Sequence, residues 1–225
     1  LLHNEYTGGL KLGASTTVAQ YVLPPLLASF IGKFPHVNLS LLNGNSREIE
    51  AALQEHRIDL GFVEGVFRLP NIKYTTFLKD ELVAVVRTGS KLAIGEEITP
   101  EELLHLPLVL RERGSGTLDV FERALQQHNI KLSSLQVLMY LGSTESIKLF
   151  LEHTDCLGIV SIRSITRELY SGQLRVVEIK DMPMLRDFSF AQPQGQESGL
   201  AQVFMQFAIC LLYTSPSPRD RTRSR

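Results

Sequence analysis

The chain has 225 residues, of which 44% are apolar and 21% are charged, and its formal net charge is −1. This length can supply the core of one large α/β domain or of two smaller ones, and a charge so close to zero gives no overall field that would draw the chain to nucleic acid or to an anionic membrane. No apolar run approaches the roughly 20 residues that a membrane-spanning helix requires. Two cysteines, Cys156 and Cys210, are too few for a disulfide framework and fit a reducing compartment.

The first strand and helix are predicted around a pair of prolines. A short apolar alternation ends near residue 13, and apolar residues then recur every four positions, as they do on one face of a helix. Pro24 and Pro25 lack the N–H that a helix interior needs. We therefore predict a short first turn and then a longer helix to about Lys33.

Strand and helix patterns alternate through the rest of the chain. Residues 72–87 are predicted to form two strands, of which 82–86 is apolar enough to be central in a sheet. Further strands are predicted at 37–42, 59–63, 108–110, 135–141, 157–162, 174–179 and 187–191, and helices starting at Ser46, Thr99, Thr117 and Ser143 and covering about 163–170 and 200–212. Such an alternation is typical of a parallel sheet with helices on both faces, so the predicted fold class is α/β.

Two α/β units of similar size follow from this order of elements. We predict one unit of residues 8–80 with 187–212 and a second of residues 81–186, joined by crossover strands. Residues 213–225 contain two prolines and four arginines and cannot bury a core. We expect this tail to be disordered, and we interpret it as a product of cloning or assembly rather than native sequence.

Hydroxyl residues stand at two of the predicted helix starts. Ser15, Thr16 and Thr17 follow the first strand, and Ser143 and Thr144 repeat the arrangement in the second unit. The first N–H groups of a helix have no partner within it and carry the positive end of its dipole. Hydroxyl groups there can cap the helix, or they can join these N–H groups in holding an anion. Both explanations remain open on the residues alone.

A glycine-rich loop precedes the helix predicted at Thr117. It contains Arg113, Ser115 and Gly116, but it lacks the Lys-Ser/Thr pair of a nucleotide-binding P-loop. Arg113 can clamp a carboxylate or another oxyanion in such a loop. The alternative is a solvated loop whose helix is capped by Thr117. In open α/β sheets, ligands bind at the carboxyl ends of strands, where these turns are predicted to lie.

No group of residues has the pattern of a catalytic or metal site. The six histidines show no metal-ligand spacing, and no Ser/His/Asp or Cys/His set can be assembled with a role for each member. Glu64 is interpreted as a polar strand end rather than an acid catalyst, and Cys156 as a buried small residue. We therefore expect neither an enzyme nor a bound metal or cofactor.

Several of these segments together resemble the effector-binding domain of LysR-type transcriptional regulators. They are GGLKLGAST with the LPPLLASF helix, the segment VNLSLLNGNSREIEAALQEHRIDLGFVEG after Phe34-Pro35, and LGSTESIK followed by LGIVSI. The resemblance covers roughly residues 8–210. It implies a periplasmic-binding-protein-like fold of two Rossmann-like subdomains joined by crossover strands, an effector in the cleft between them, and a cytoplasmic bacterial protein that forms dimers and tetramers.

The resemblance also implies which residues contact the effector. The implied contacts are Ser15, Thr16, Thr17, Arg113, Ser115, Gly116, Thr117, Ser143 and Thr144. The segments ASTT and FVEG are similar to those of regulators of sulfur assimilation and carbon fixation, which implies a small oxyanion or carboxylate as the effector. The family binds DNA through an N-terminal helix-turn-helix. None precedes Leu1, so we expect this chain not to bind an operator by itself.

Two other classes of protein remain as alternatives. An extracytoplasmic solute-binding protein of a transport system shares the expected fold, and the entry segment at residues 1–9 favours the regulator only weakly. An enzyme of the same architecture, such as a deaminase that eliminates a substrate amine, would need an acid–base pair that the sequence does not show.

Overall fold

The structure is a computed structural model that describes residues 6–92, 94–195 and 198–213. In these ranges the chain divides into two compact units. The first runs up to Leu78 and resumes at Asp187, and the second covers Lys79–Arg186. The tail predicted at 213–225 lies outside the described residues except for Tyr213, which ends the last helix. None of the described helices combines the length and the hydrophobicity that crossing a membrane requires.

The first unit begins with a strand that passes directly into two short helices. Gly8–Ser15 forms β1, α1 covers Thr16–Tyr21, and α2 covers Leu23–Lys33 with the two prolines in its first turn. The predicted division into a first turn and a longer helix is therefore confirmed. The other elements are β2 (Val37–Gly44), α3 (Ser46–Gln54), β3 (Leu60–Glu64), the first part of β4 (Ile72–Arg87), most of β10 (Met184–Pro193) and α7 (Gly199–Tyr213).

The sheet of the first unit is parallel except for β10. β1 lies between β2 and β3, with Ser15 opposite Gly44 and Leu12 opposite Leu60, and β10 runs antiparallel to β3. Because β1, β2 and β3 are parallel, their carboxyl ends lie at one edge of this sheet. Helices α1 and α3 start at that edge.

Apolar side chains cover both faces of this sheet. Phe62 belongs to a cluster with helices α2 and α7, in which the Phe30 and Phe204 rings lie 4.9 Å apart. Its neighbour Val63 belongs to a second cluster with Ile49 of α3. Successive side chains of a strand point to opposite faces, so β3 joins the two clusters.

The second unit is also an α/β arrangement. It contains the rest of β4, the first three residues of β10 (184–186) and the elements between them. These are β5 (Glu97–Ile98), β6 (Pro107–Arg111), α4 (Gly116–Gln127), β7 (Gln136–Leu141), α5 (Thr144–His153), β8 (Leu157–Ser161), α6 (Thr166–Tyr170), β9 (Leu174–Ile179) and 3₁₀ turns at Pro100–His105, Leu132–Ser134 and Ile162–Ser164. The α/β class predicted from the sequence is confirmed in both units.

The sheet of the second unit places two helix starts side by side. β6 is parallel to β7 on one side and to β8 on the other, and Arg111 lies opposite Leu141 at the carboxyl ends of β6 and β7. Helix α4 follows β6 and helix α5 follows β7. Both helices therefore start at the same edge of this sheet. β8 runs antiparallel to β4, and β9 pairs with β4 and β5.

Two predicted boundaries are wrong. Residues 72–87 form the single strand β4 rather than two strands. Asp80, in the polar middle of this strand, is buried, accepts a hydrogen bond from Ser161 and forms an ion pair with Arg186. Because these partners satisfy its charge, the strand continues through Asp80. The helix predicted at about 163–170 is divided into a 3₁₀ turn and the short α6. Cys156 is buried and free, as predicted.

Candidate functional site

The first helix start, at the carboxyl end of β1, is almost completely buried. Ser15 and Thr17 are 0% exposed and Thr16 is 6% exposed. Ser15 occupies the N-cap position of α1, but its side chain makes no capping hydrogen bond. Its hydroxyl oxygen is buried, with no hydrogen-bond partner among the described residues. The capping role expected for Ser15 is therefore wrong, and a buried polar atom is left at this edge of the sheet.

The hydroxyl groups of the two threonines at this helix start donate hydrogen bonds to other residues of the first unit. Thr16 donates from Oγ1 to the carbonyl oxygen of Gly44 at 3.3 Å, and Thr17 donates from Oγ1 to Oε1 of Glu64 at 3.5 Å. Glu64 is itself 4% exposed, and its backbone exchanges two hydrogen bonds with the Ser46 hydroxyl. A buried carboxylate here disfavours an anion close to it and favours a ligand group that donates hydrogen bonds.

Helix α4 starts with a complete N-cap in the second unit. Ser115 is the N-cap residue, and its Oγ accepts hydrogen bonds from the backbone N–H groups of Thr117 at 3.1 Å and Leu118 at 3.4 Å. Gly116 is the first residue of the helix, and Gly114 before it has a φ of 93°, which a glycine adopts without strain. The capping role is thus performed by Ser115 rather than by Thr117, which was the alternative at this loop.

Helix α5 starts in the same way at the end of the neighbouring strand. Ser143 is the N-cap residue and accepts a hydrogen bond from the backbone N–H of Ser146 at 3.1 Å. Thr144, the first helical residue, is 1% exposed. Its Oγ1 accepts a hydrogen bond from Nη1 of Arg111 at 3.4 Å. The positive ends of two helix dipoles and a guanidinium group therefore meet at one edge of the second unit's sheet.

The arginine at this edge differs from the one expected. Arg113 has a side chain that is 68% exposed and pairs with Glu122 at 3.4 Å. Arg111 is 1% exposed and pairs with Glu112, with 2.8 Å between Nε and Oε2. Sequence reasoning missed Arg111 because it was treated as the first residue of a loop. Its place directly after the apolar run 108–110 was the signal that β6 continues through it.

A second buried arginine contacts the start of α4. Arg186 of β10 donates from Nη1 to Oγ1 of Thr117 at 3.0 Å, and from Nε to Oδ2 of Asp80 at 2.8 Å. Asp80 also accepts a hydrogen bond from Ser161 at 2.7 Å. Sequence reasoning missed this cluster as well. The available signals were Asp80 inside the apolar strand β4 and Arg186 inside the strand β10. Charged side chains that are buried in a strand need partners.

The remaining reactive groups are the side chains able to bind a metal and the thiol of Cys156. Among the described residues, no cluster of three or more histidine, cysteine or acidic side chains is placed to hold a metal ion. Burial, together with the charge of Asp155, raises the pKa of the Cys156 thiol to about 11, so this thiol is protonated and unreactive at neutral pH. In chemical terms, the second unit's edge offers hydrogen-bond donors and positive potential, which suit an anion.

Comparison with known proteins identifies relatives over almost the whole chain. A family model described as the LysR substrate binding domain matches residues 3–211. The uncharacterized HTH-type transcriptional regulator YeiE of Escherichia coli (strain K12) is 34% identical over 178 residues, which cover 79% of this chain and 59% of that regulator. The chain therefore spans about three fifths of the length of this relative.

Solved structures with the same fold include complexes with small molecules. The regulatory domain of CcmR from Synechocystis PCC6803, in complex with 2-PG, is 27% identical, covers 94% of this chain and 100% of its own, and gives a TM-score of 0.83. The effector-binding domain of QuiR in complex with shikimate is 20% identical, covers 92% of this chain and 97% of its own, and gives a TM-score of 0.79. The predicted periplasmic-binding-protein-like fold is confirmed by these likenesses.

Proposed function

Because this chain belongs to the LysR substrate-binding domain family, we propose that it senses a small anionic effector, an oxyanion or a carboxylate, for a bacterial transcriptional regulator in the cytoplasm. The observation that supports an anionic effector is the arrangement of side chains and helix starts at one edge of the second unit's sheet. There the starts of α4 and α5 lie at the ends of adjacent parallel strands, with the buried guanidinium group of Arg111 hydrogen-bonded to Thr144. The N–H groups at these helix starts attract an anion. The charge of Arg111 adds to this attraction only in part, because its guanidinium group also pairs with both carboxylate oxygens of Glu112.

In this proposal the site residues of the second unit hold the charged group of the effector. These residues are Thr117 and Thr144, through their hydroxyl groups, and the N–H groups at the starts of α4 and α5. Arg113 has a smaller role than the sequence suggested, because it is exposed and paired with Glu122. The 2-PG and shikimate bound by CcmR and QuiR support a small polar molecule as the effector.

Contact of the same effector with Ser15, Thr16 and Thr17 stays a prediction. The buried Ser15 hydroxyl without a partner supports it. The carboxylate of Glu64, which accepts from Thr17, opposes an anion at this point. We therefore propose that any group of the effector bound by the first unit is a hydrogen-bond donor, such as a hydroxyl group, rather than a second anionic group.

Self-association belongs to the proposed function. Strand β7 pairs with β6 and with no other strand among the described residues. It carries three large apolar side chains that are 43–53% exposed, namely Leu138, Met139 and Tyr140. Exposed edge strands with apolar side chains pair readily with another chain. We propose that a second copy covers β7 in a homodimer, and that further contacts make a homotetramer.

Regulation of transcription would then require a region like the one that its relatives have outside the segment matched by this chain. YeiE extends well beyond the matched region. We propose that the full-length protein binds DNA through such a part, and that the effector shifts an equilibrium between arrangements of the oligomer. That shift can be no larger than the difference in effector affinity between the two arrangements.

Isothermal titration calorimetry with four anions tests the proposed function. The anions are sulfate, inorganic phosphate, 2-PG and shikimate. We expect at least one to bind, and Thr144→Val to weaken its binding by about 10- to 100-fold, since a hydrogen bond to a charged group contributes about 1.5–3 kcal/mol. Thr88→Val, which changes an exposed threonine just beyond β4, is the control and should leave the affinity unchanged. Equal affinity in wild type and Thr144→Val would remove the proposed site. Failure of all four anions to bind would contradict the proposal that the effector is anionic.

A further inference from the structure

We infer that the first unit holds a second small-molecule site in a cavity at the end of helix α3. Its ligand is a neutral planar ring that carries a hydrogen-bond donor beside an acceptor, as a ring carboxamide or a lactam does. The cavity has a volume of about 190 Å³ and is lined by the end of α3, the start of β4 and the end of β10. Nothing in the proposed function uses these residues, so the inference does not depend on it.

The cavity lies at the edge of the first unit's sheet that is opposite to the helix starts. Helix α3 starts at Ser46, at the carboxyl ends of the parallel strands, and runs over nine residues to Gln54. At 1.5 Å per residue, its two ends are about 13 Å apart. Strand β10 is antiparallel to β3, so its last residue, Pro193, lies at the far edge as well. A ligand in the cavity would therefore leave the start of α1 accessible.

Apolar side chains form the inner wall of the cavity. Leu53 and Ile72 are 0% and 6% exposed and belong to the apolar cluster of α3 and β3. Pro193, which is half-buried, adds the flat surface of its ring. A cavity of about 150 Å³ with apolar walls is large enough to bind benzene. The volume of this cavity therefore suits a single six-membered ring.

Two carboxamide groups at the rim provide the polar contacts. Gln54 donates from Nε2 to Oδ1 of Asn71 across 3.2 Å. Among the residues that the structure describes, neither Oε1 of Gln54 nor Nδ2 of Asn71 makes a hydrogen bond. The first of these atoms is an acceptor and the second is a donor. A ligand that carries both kinds of group can pair with such amides, as adenine does through N6 and N7 with asparagine or glutamine.

The lining favours a neutral ligand. It includes no aspartate, glutamate, lysine or arginine. Glu55 and Arg57, which flank His56 in the chain, pair with each other at 2.7 Å. Lys73 follows Ile72 in β4, so its side chain points to the opposite face of the strand. A charged ligand would thus lose hydration against the apolar wall without gaining a counterion.

The backbone at the end of α3 is already paired within the chain. The N–H groups of His56 and Arg57 donate to the carbonyl oxygens of Leu53 and Ala52, at 3.1 and 2.9 Å. His56 has a φ of 56°, the left-handed conformation with which many helices end. Recognition of a ligand in the cavity is therefore left to side chains, and to the two carboxamide groups above all.

Protein-observed NMR with nicotinamide and nicotinate tests the inference. The two molecules share ring and size, but nicotinamide is neutral and carries a donor and an acceptor, whereas nicotinate is an anion with acceptors only. The measurement is made at pH 8, above the range in which histidine side chains ordinarily take up a proton. We expect nicotinamide to shift the methyl resonances of Leu53 and Ile72 with a Kd of about 1 mM, as befits so small a ligand. Nicotinate should bind about 10-fold more weakly or less.

Gln54→Met is the decisive variant, because methionine has nearly the shape of glutamine and lacks the amide. Gln54 is exposed at the end of a helix, so the change makes little demand on folding. We expect it to weaken nicotinamide by about 5-fold or more, the effect of one lost hydrogen bond. Asn71→Leu removes the other amide and should act in the same direction. Gln206→Met, at an exposed position of α7, is the matched control and should leave the affinity unchanged.

Three results would each overturn the inference. They are absence of shifts at Leu53 and Ile72 with about 10 mM nicotinamide, ten times the expected Kd, equal affinity for nicotinate, and unchanged affinity in Gln54→Met. None of them bears on the anion proposed for the second unit, which is tested with other ligands. Failure of sulfate, phosphate, 2-PG and shikimate to bind would likewise leave this cavity and its ligand class standing.

Discussion

Arg186 donates from Nε to Oδ2 of Asp80 across 2.8 Å, and both side chains are completely buried. The two residues are 106 positions apart in the chain and lie on β10 and β4. Asp80 also accepts from Ser161, and Arg186 also donates to Thr117. One buried ion pair therefore ties a strand of the second unit to the start of the helix that we propose for effector binding.

Removal of Asp80 should destabilise the chain strongly. Asp80→Ala removes the buried carboxylate that pairs with both Arg186 and Arg163, and breaking a buried pair in this way costs about 3–5 kcal/mol. Urea denaturation followed by circular dichroism measures the loss. Glu55→Ala is the control, because it breaks the pair between Arg57 and Glu55, whose side chains are 52% and 59% exposed, and should change stability by less than about 1 kcal/mol. A loss below about 1 kcal/mol for Asp80→Ala would show that Arg186 does not depend on this carboxylate.

Gly61→Ala should destabilise the first unit by about 1–3 kcal/mol, as added methyl groups do in tightly packed cores. A Cβ at this position in β3 would lie 2.9 Å from Cδ1 of Leu53 and 3.1 Å from Cγ2 of Ile49, both on α3. Gly9→Ala in β1 is the matched control, since its Cβ would meet no atom within 4 Å. Thermal unfolding of the two variants compares them directly. Equal stability of both would mean that α3 packs less closely on β3 than the structure shows.

Only one of the two thiols should react in the folded protein. Cys210 is exposed, whereas Cys156 is buried and its pKa is raised to about 11 by burial and by the charge of Asp155. Titration with a thiol-specific reagent at pH 8 should therefore label one cysteine in the native chain and two in urea. Labelling of two native thiols at comparable rates would contradict the burial of Cys156.

The raised pKa of the Cys156 thiol should also make the free energy of unfolding fall at alkaline pH. The folded chain keeps the Cys156 proton between its ordinary pKa of 9.0 and about 11, where the unfolded chain has lost it. The unfolded state therefore binds fewer protons in this range, and stability falls as pH rises from about 9 to about 11. Cys156→Ala should show a smaller fall over this range than the wild type in urea denaturation. An identical fall in the two proteins would remove Cys156 as a contributor.

A charge on β7 should prevent self-association. Met139→Glu places a carboxylate among the exposed apolar side chains of this edge strand, and we expect it to weaken dimer formation by at least about 10-fold, since a buried unpaired charge opposes association. Analytical ultracentrifugation measures the change. Tyr170→Glu, at a 79% exposed residue on α6, should leave the dimer intact. A dimer that survives Met139→Glu would place the interface elsewhere.

Local sequence signals were sufficient for most of the elements and for part of the candidate site. Ser143 acts as an N-cap because a serine before a helix captures an N–H group three residues later, which depends on neighbours in sequence alone. Ser115 caps α4 in a similar way, although Thr117 was the predicted cap there. Arg111, Arg186 and Asp80 were not predicted as site residues. Their burial and their partners depend on strands distant in the chain, and a charged residue in isolation is expected to lie at the surface. The sequence also pointed to Arg113, whose exposed side chain instead pairs with Glu122.

A crystal structure of the chain grown with selenate tests the central claim most directly. Selenate has the shape and charge of sulfate, and the anomalous signal of selenium locates it without reference to the rest of the electron density. We predict a selenium peak whose oxygens lie within hydrogen-bond distance of the Thr117 and Thr144 hydroxyl groups, at the starts of α4 and α5. A selenium peak at another place, with none at these helix starts while the protein is ordered there, would contradict the proposed anion site.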